Sequence, residues 1–290
     1  MGIRRARWFV MATSILTTAA AGILVAGPAH AVAGRVVVTA TSPDTGSESF
    51  KGANAVCPTG TKILGGGADI VGGDHHVQLA GINPAPLGLP ANSIWATANE
   101  GPSGYNGAWS LTAWAICGYG VTGHQIVEAT SAPPAGATSA AATAVCPAGK
   151  KVIGAGGRSA GKPTYVLDTI DVSGGLSSVL VQTMATEAVV AGTAPLAVAY
   201  AICIDPVPGQ QRVGASSVWD SNDKVLTVAC PAGTQVHGTG GGISGAHGQA
   251  HLDALLPIAG APGGTFINAR EDATGYVANW SVSAYAVCAL

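Results

Sequence analysis

Three times along this chain a Cys-Pro-x-Gly segment is followed, 57 to 60 residues later, by a cysteine that closes an Ala-rich strand. Cys57-Pro58-Thr59-Gly60 runs on to Ala113-Trp114-Ala115-Ile116-Cys117, and Cys146-Pro147-Ala148-Gly149 to Ala199-Tyr200-Ala201-Ile202-Cys203. Cys230-Pro231-Ala232-Gly233 runs on to Ala284-Tyr285-Ala286-Val287-Cys288. Self-similarity at a fixed period means one supersecondary unit, copied and packed against its copies. All six cysteines belong to this pattern. A copied unit copies its own bridge, so repetition selects Cys57–Cys117, Cys146–Cys203 and Cys230–Cys288 from the pairings that six cysteines allow. The short paired spacings of zinc sites are absent, so no metal is expected on the cysteines, and no cofactor is expected at all.

The first 31 residues have the order of a secretory signal peptide: Arg4, Arg5 and Arg7, an apolar stretch from Trp8 to Gly27, then Ala29-His30-Ala31 before the cleavage point. Export suits disulfide formation, and the chain is expected to be secreted and extracellular. Beyond the signal no apolar run reaches the roughly 20 residues of a membrane span. After cleavage 10 basic residues face 15 acidic ones, a formal charge of −5, which speaks against nucleic acid and anionic membranes as partners.

Only 10% of residues are charged and 42 are glycine; Ala, Val and Thr crowd the remainder, which reads as strand and turn. In the first unit Arg35–Thr41, Phe50–Cys57, Thr61–Val71, Val77–Ile82, Ser93–Asn99 and Trp109–Cys117 each form a short run bounded by Gly, Pro or Asn. The pattern predicts an all-β chain of six strands per unit, with units at 32–122, 123–208 and 209–290. Alternation along the last strand puts Trp109 and Trp280 on an apolar face, and both faces of that strand are expected to be covered. The glycine clusters at Gly65-Gly66-Gly67, Gly154-Ala155-Gly156-Gly157 and Gly238–Gly242 read as bulges or close backbone contacts rather than chemistry.

With its Cys-Pro-x-Gly turn, glycine cluster and aromatic-Ala-x-Cys closing strand, the tripled unit resembles, at fold level, the β-prism of the vitelline membrane outer layer protein I family. It is also similar to an exported repeat of high-GC actinobacteria. The resemblance spans residues 36 to 290 and implies three units around a pseudo-threefold axis. The units here are longer and lack the aromatic-rich glycine turns of that family, so the alternative is three small disulfide-bonded β-sandwiches in a row.

Candidate chemistry is sparse. Gly156-Gly157-Arg158-Ser159-Ala160-Gly161-Lys162 follows a phosphate-binding loop for seven positions. It fails at Pro163, where a Ser or Thr should hold magnesium, and reads as a glycine bulge entering a turn. Asp74, His75 and His76 in the first unit, and His247, His251 and Asp253 in the third, have ligand-like spacing, His251 and Asp253 sharing a face if the strand is regular. Glu100, Glu187 and Glu271 recur as Ala-x-Glu at the end of the fifth strand, where three carboxylates could face one axis or simply brace turns. Trp95 and Trp219 are the tryptophans left for stacking on sugar rings. No Gly-x-Ser-x-Gly elbow or His-Glu-x-x-His helix occurs. The reading is a secreted, non-catalytic binding or structural protein directed at a carbohydrate or cell-surface ligand, its contacts drawn from the turns after the third and fifth strands. The alternative is an extracellular carbohydrate-active hydrolase or transferase using the strand-end carboxylates.

Overall fold

A computed structural model describes residues 32–42, 46–84, 88–90, 92–159, 164–186, 192–260 and 262–290. The expected signal peptide, Glu187, and Ala160 to Pro163 of the loop-like motif lie outside the described residues. Eighteen strands and no helix are present among those described, and no helix is long and apolar enough to cross a membrane. The first unit forms β1 (Ala33–Thr41), β2 (Phe50–Val56), β3 (Lys62–Gly72), β4 (Val77–Pro84), β5 (Ser93–Glu100) and β6 (Trp109–Tyr119). The second forms β7 (Gln125–Ser131), β8 (Ser139–Val145), β9 (Lys151–Arg158), β10 (Tyr165–Val172), β11 (Ser178–Ala185) and β12 (Ala197–Ile204). The third forms β13 (Gln211–Ser216), β14 (Lys224–Ala229), β15 (Gln235–Ser244), β16 (Ala250–Ile258), β17 (Gly264–Glu271) and β18 (Ser281–Ala289).

These strands make three six-stranded antiparallel sheets, ordered β1-β6-β3-β16-β17-β14, β13-β18-β15-β10-β11-β8 and β2-β5-β4-β9-β12-β7. Every sheet therefore takes three strands from one unit and three from another. Separate sandwiches in a row do not have this topology, because their sheets would each belong to a single unit. The joins are short: Ala254 and Leu255 pair with Asp69 and Ala68, Thr169 and Ile170 with Gly242 and Gly241, and Gly81 and Ile82 with Arg158 and Gly157.

Period-2 alternation supplies the inward faces. In β8 Ala140, Ala142 and Ala144 are buried while Ser139, Ala141, Thr143 and Val145 are exposed. One hydrophobic cluster runs through all three units, with Trp109 and Trp280 fully buried in it, as alternation predicts. The outer face of the closing strand departs from expectation. Thr112 and Trp114 on β6, like Ser283 and Tyr285 on β18, are only half-buried, whereas β12 is buried along its whole length. On the same faces Ile116 and Val287 are fully buried, and the Arg212 guanidinium lies 3.6 Å from the centroid of the Tyr285 ring.

The glycine clusters are explained at the centre. A Cβ on Gly65 would lie 2.9 Å from the Cα of Gly238, one on Gly238 2.6 Å from the Cα of Gly154, and one on Gly154 2.9 Å from the Cα of Gly65. Three backbones, one per unit, thus meet with no room for a side chain. Just before each of these glycines the ladder bulges, at Leu64, Ile153 and His237. The carbonyl preceding each bulge is bonded by a side chain of another unit. His124 Nε2 donates to Ile63 O (2.7 Å), Gln210 Nε2 to Val152 O (3.0 Å), and Arg35 Nε to Val236 O (2.6 Å). Arg35, His124 and Gln210 each stand one residue before the partner of a closing cysteine, so these caps occupy matched positions.

The three disulfides join the expected pairs, with Cα–Cα distances of 5.7, 5.7 and 5.8 Å. Each ties a residue just after the second strand of its unit to the sixth strand, and these two strands lie in different sheets. Val32 N bonds to Leu290 O (3.3 Å), bringing the first and last described residues together.

Candidate functional site

Strand registers match the units residue by residue. Leu79 opposes Ala98, Leu167 opposes Thr183, and Leu252 opposes Ala269, each pair just before a one-residue bulge. In the same frame Val77 opposes Glu100, Tyr165 opposes Ala185, and Ala250 opposes Glu271. The position matching Glu100 and Glu271 in the second unit is therefore Ala185. Glu187 stands two residues beyond that position, outside the described residues, so the ladder matches only Glu100 and Glu271 to one another.

Glu100 and Glu271 brace the connections that follow β5 and β17, each of which carries the chain from one sheet to another. Glu100 Oε2 accepts from Tyr105 N (3.2 Å), and Glu271 Oε2 accepts from Tyr276 N (2.9 Å) while its Oε1 accepts from Trp280 Nε1 (3.1 Å). Above the same tryptophans sit two buried lysines that sequence reasoning passed over. Lys51 Nζ lies 4.7 Å from the Trp109 ring and Lys224 Nζ 4.2 Å from the Trp280 ring. Lys51 donates to Trp109 O, and Lys224 forms an ion pair with Asp220 at 2.7 Å. The signal was present in the sequence, since Lys, Glu and Trp recur together in units one and three while the second unit has Ala140, Ala185 and the buried Pro195 at the matched positions. Lys224→Met should cost about 1–3 kcal/mol, read from a urea midpoint, because it strips the cation from Asp220 and from the ring.

At one end of the molecule the equivalent residues Gly101, Thr186 and Asp272, one from each unit, line a single cavity of about 130 Å³ together with His75, His76, Gln78 and His251. The turns at its mouth are tight. Asp74 and His75 have φ of +34° and +70°, and His247 and Gly248 have +51° and +86°, the left-handed central pair of a β-turn closed by His76 N to Gly73 O (2.7 Å) and by Gln249 N to Ala246 O (2.9 Å). Where the third unit has a glycine at the second position, the first holds His75, a conformation that costs a side chain about 1–2 kcal/mol.

His75 is fixed by a 2.9 Å bond to Glu271 O and lies 3.7 Å from Asp223. His76 bonds Ser103 Oγ through Nδ1 (3.0 Å) and stacks on Tyr105, ring centroids 5.6 Å apart. His251 is 3% exposed, and its Nε2 is buried with no hydrogen-bond partner. Burial pushes its imidazole down to about 4, against the opposing pull of Asp272, so it is neutral at pH 7. Asp272 commits Oδ1 to Thr274 N (2.9 Å) and Thr274 Oγ1 (2.6 Å).

His251 and Asp253 do not act together as a regular strand would have them. The bulge falls on Asp253, whose carboxylate takes Arg270 Nε (3.1 Å) and Asn268 Nδ2 (2.9 Å). No group of three His, Cys, Asp or Glu able to hold a metal is found among the described residues. Of the residues singled out from sequence, His75, His76 and His251 share the cavity. Asp74 stands just outside it, bonded by Tyr105 Oη (3.3 Å), and His247 is an exposed turn residue. Trp95 lies on the outer face over Gly52, and Trp219, 56% exposed, lies over Gly245. Gln78, Thr186 and Asp272 were missed, because only the ladder registers show that they belong to one place.

Asp168 is buried beyond the site, held by Thr169 Oγ1 at 2.8 Å. Burial pushes it up to about 6, the hydroxyl opposing. A carboxyl raised in the folded state stabilises most below its unfolded value, and that stability is lost as pH rises through about 6. Asp168→Asn should therefore raise stability at pH 8 by about 2–3 kcal/mol and change it little at pH 4. Urea midpoints at the two pH values check this; equal gains at both would remove the titration as the cause.

No family model matches the chain and no curated protein is similar to it.

Proposed function

We propose that this protein is an exported, non-catalytic binding module. Its three units close around a pseudo-threefold axis as a β-prism, and its end cavity holds one polar group of a glycan or similar cell-surface ligand. The cyclic sharing of strands between sheets, the Gly65–Gly154–Gly238 contact and the cyclic caps by Arg35, His124 and Gln210 support the closed arrangement. The observation that carries the binding reading is a local divergence. Leu79, Leu167 and Leu252 are alike and fully buried, yet the residues just before them are Gln78, Val166 and His251, two of which line the cavity. The matched positions Gly101, Thr186 and Asp272 diverge in the same cavity. Units that keep their core and vary where their ends converge have the form of a scaffold carrying one asymmetric site.

The cavity is near the size that accepts one small ring, since an apolar void of about 150 Å³ holds benzene. The stacked His76 and Tyr105 offer an aromatic surface of the kind that packs on a sugar face. Of the strand-end carboxylates of the alternative, enzymatic reading, Glu271 has both oxygens engaged, by Tyr276 N and Trp280 Nε1, and Glu100 has Oε2 engaged by Tyr105 N. A glycan array on the mature protein, followed by thermal shift with the best hit, tests the proposal. Saturating ligand is expected to raise Tm of the native protein by roughly 5–10 °C and to leave His251→Val unmoved. That variant should fold, because Val166 occupies the matched position. An equal shift in both proteins would place the ligand elsewhere.

A further inference from the structure

The end cavity has a defined electrostatic character. Asp272 lines it with Oδ1 bound to Thr274, and its Oδ2 makes no hydrogen bond among the described residues. Asp272 and Asp223 both favour positive charge at the His251 ring. His75 and, more weakly, Arg270 oppose them; His75 lies 3.7 Å from Asp223, and Arg270 is paired with Asp253 at 3.1 Å. His251 is almost wholly buried, lines the cavity, and has a buried Nε2 without a partner. Thr186 adds a hydroxyl from the second unit. An anionic group here would meet a carboxylate, with no unpaired guanidinium or ammonium among the lining residues to receive it.

We infer that the group seated in the end cavity is a protonated primary amine, an inference that rests on the cavity being the ligand site. An ammonium has three donors and no acceptor, which fits an unpaired imidazole nitrogen, a carboxylate oxygen and a hydroxyl. The cation replaces the charge that burial denies to His251. Amino sugars and amine-terminated surface polymers carry this group; their acetylated or hydroxyl counterparts do not.

The test follows the imidazole resonances of His251 in the full mature protein at pH 7 during titration with propylammonium, 1-propanol, glucosamine and glucose. Each amine is expected to shift His251 with a Kd at least about tenfold lower than its neutral partner. Asp272→Thr, which installs the residue of the second unit, should abolish that preference, and Asp272→Asn should do the same where a change of shape is a concern. Equal or tighter binding of glucose and 1-propanol overturns the amine inference and leaves the cavity as the ligand site. If none of the four probes moves His251 while an array hit still raises Tm of the native protein and of His251→Val alike, the site reading falls with it.

Discussion

Gly154→Ala is expected to destabilise the protein by more than about 3 kcal/mol, the upper range for overpacking a tight core. The added methyl would fall on the carbonyl oxygen of Leu64 and within 2.9 Å of the Gly65 Cα. Both are backbone atoms of another unit, so no side chain can swing aside. Relief would require moving β3 against β9, and Gly238 closes on both from the third side. Gly174→Ala is the control, since nothing lies within 4 Å of a Cβ there and the change should stay within about 0.5 kcal/mol. Urea midpoints of the two variants check the contrast. Similar values would show that the central contact is loose.

Replacing Cys146 and Cys203 together by alanine is expected to cost about 4 kcal/mol, the chain-entropy value for a closed loop of this length. The bridge joins the residue after β8 to β12, and those strands belong to different sheets. Its loss therefore loosens a corner between sheets as well as lengthening the free chain. All six cysteines are buried, so mild reductant should leave the native protein intact, while unfolding in reductant should lower the urea midpoint. A midpoint insensitive to reductant would assign the stability to the core alone.

The strands could be read from the sequence to within two residues in the first unit, because turn residues and period-2 alternation are local signals. The disulfides were legible because each is copied with its unit. Which strands share a sheet was not legible. The joins between units are two-residue pairings such as Ala254 and Leu255 with Asp69 and Ala68, and no local pattern announces them. Glycines that read as bulges proved to be a central contact between units, a role visible only when Gly65, Gly154 and Gly238 are seen together. His75, His76 and His251 were found by their chemistry. Gln78, Thr186 and Asp272 are ordinary residues whose importance comes from position, and the bulges at Ala80, Asp168 and Asp253 break the even count that would have located them.

The central claim is that three units share their sheets and one core, so that the end cavity exists only in the assembled whole. Scanning calorimetry of the disulfide-intact protein tests it most directly. The account predicts one cooperative transition whose calorimetric and van't Hoff enthalpies agree. Three separable transitions, each with the enthalpy of about 85 residues, would contradict it.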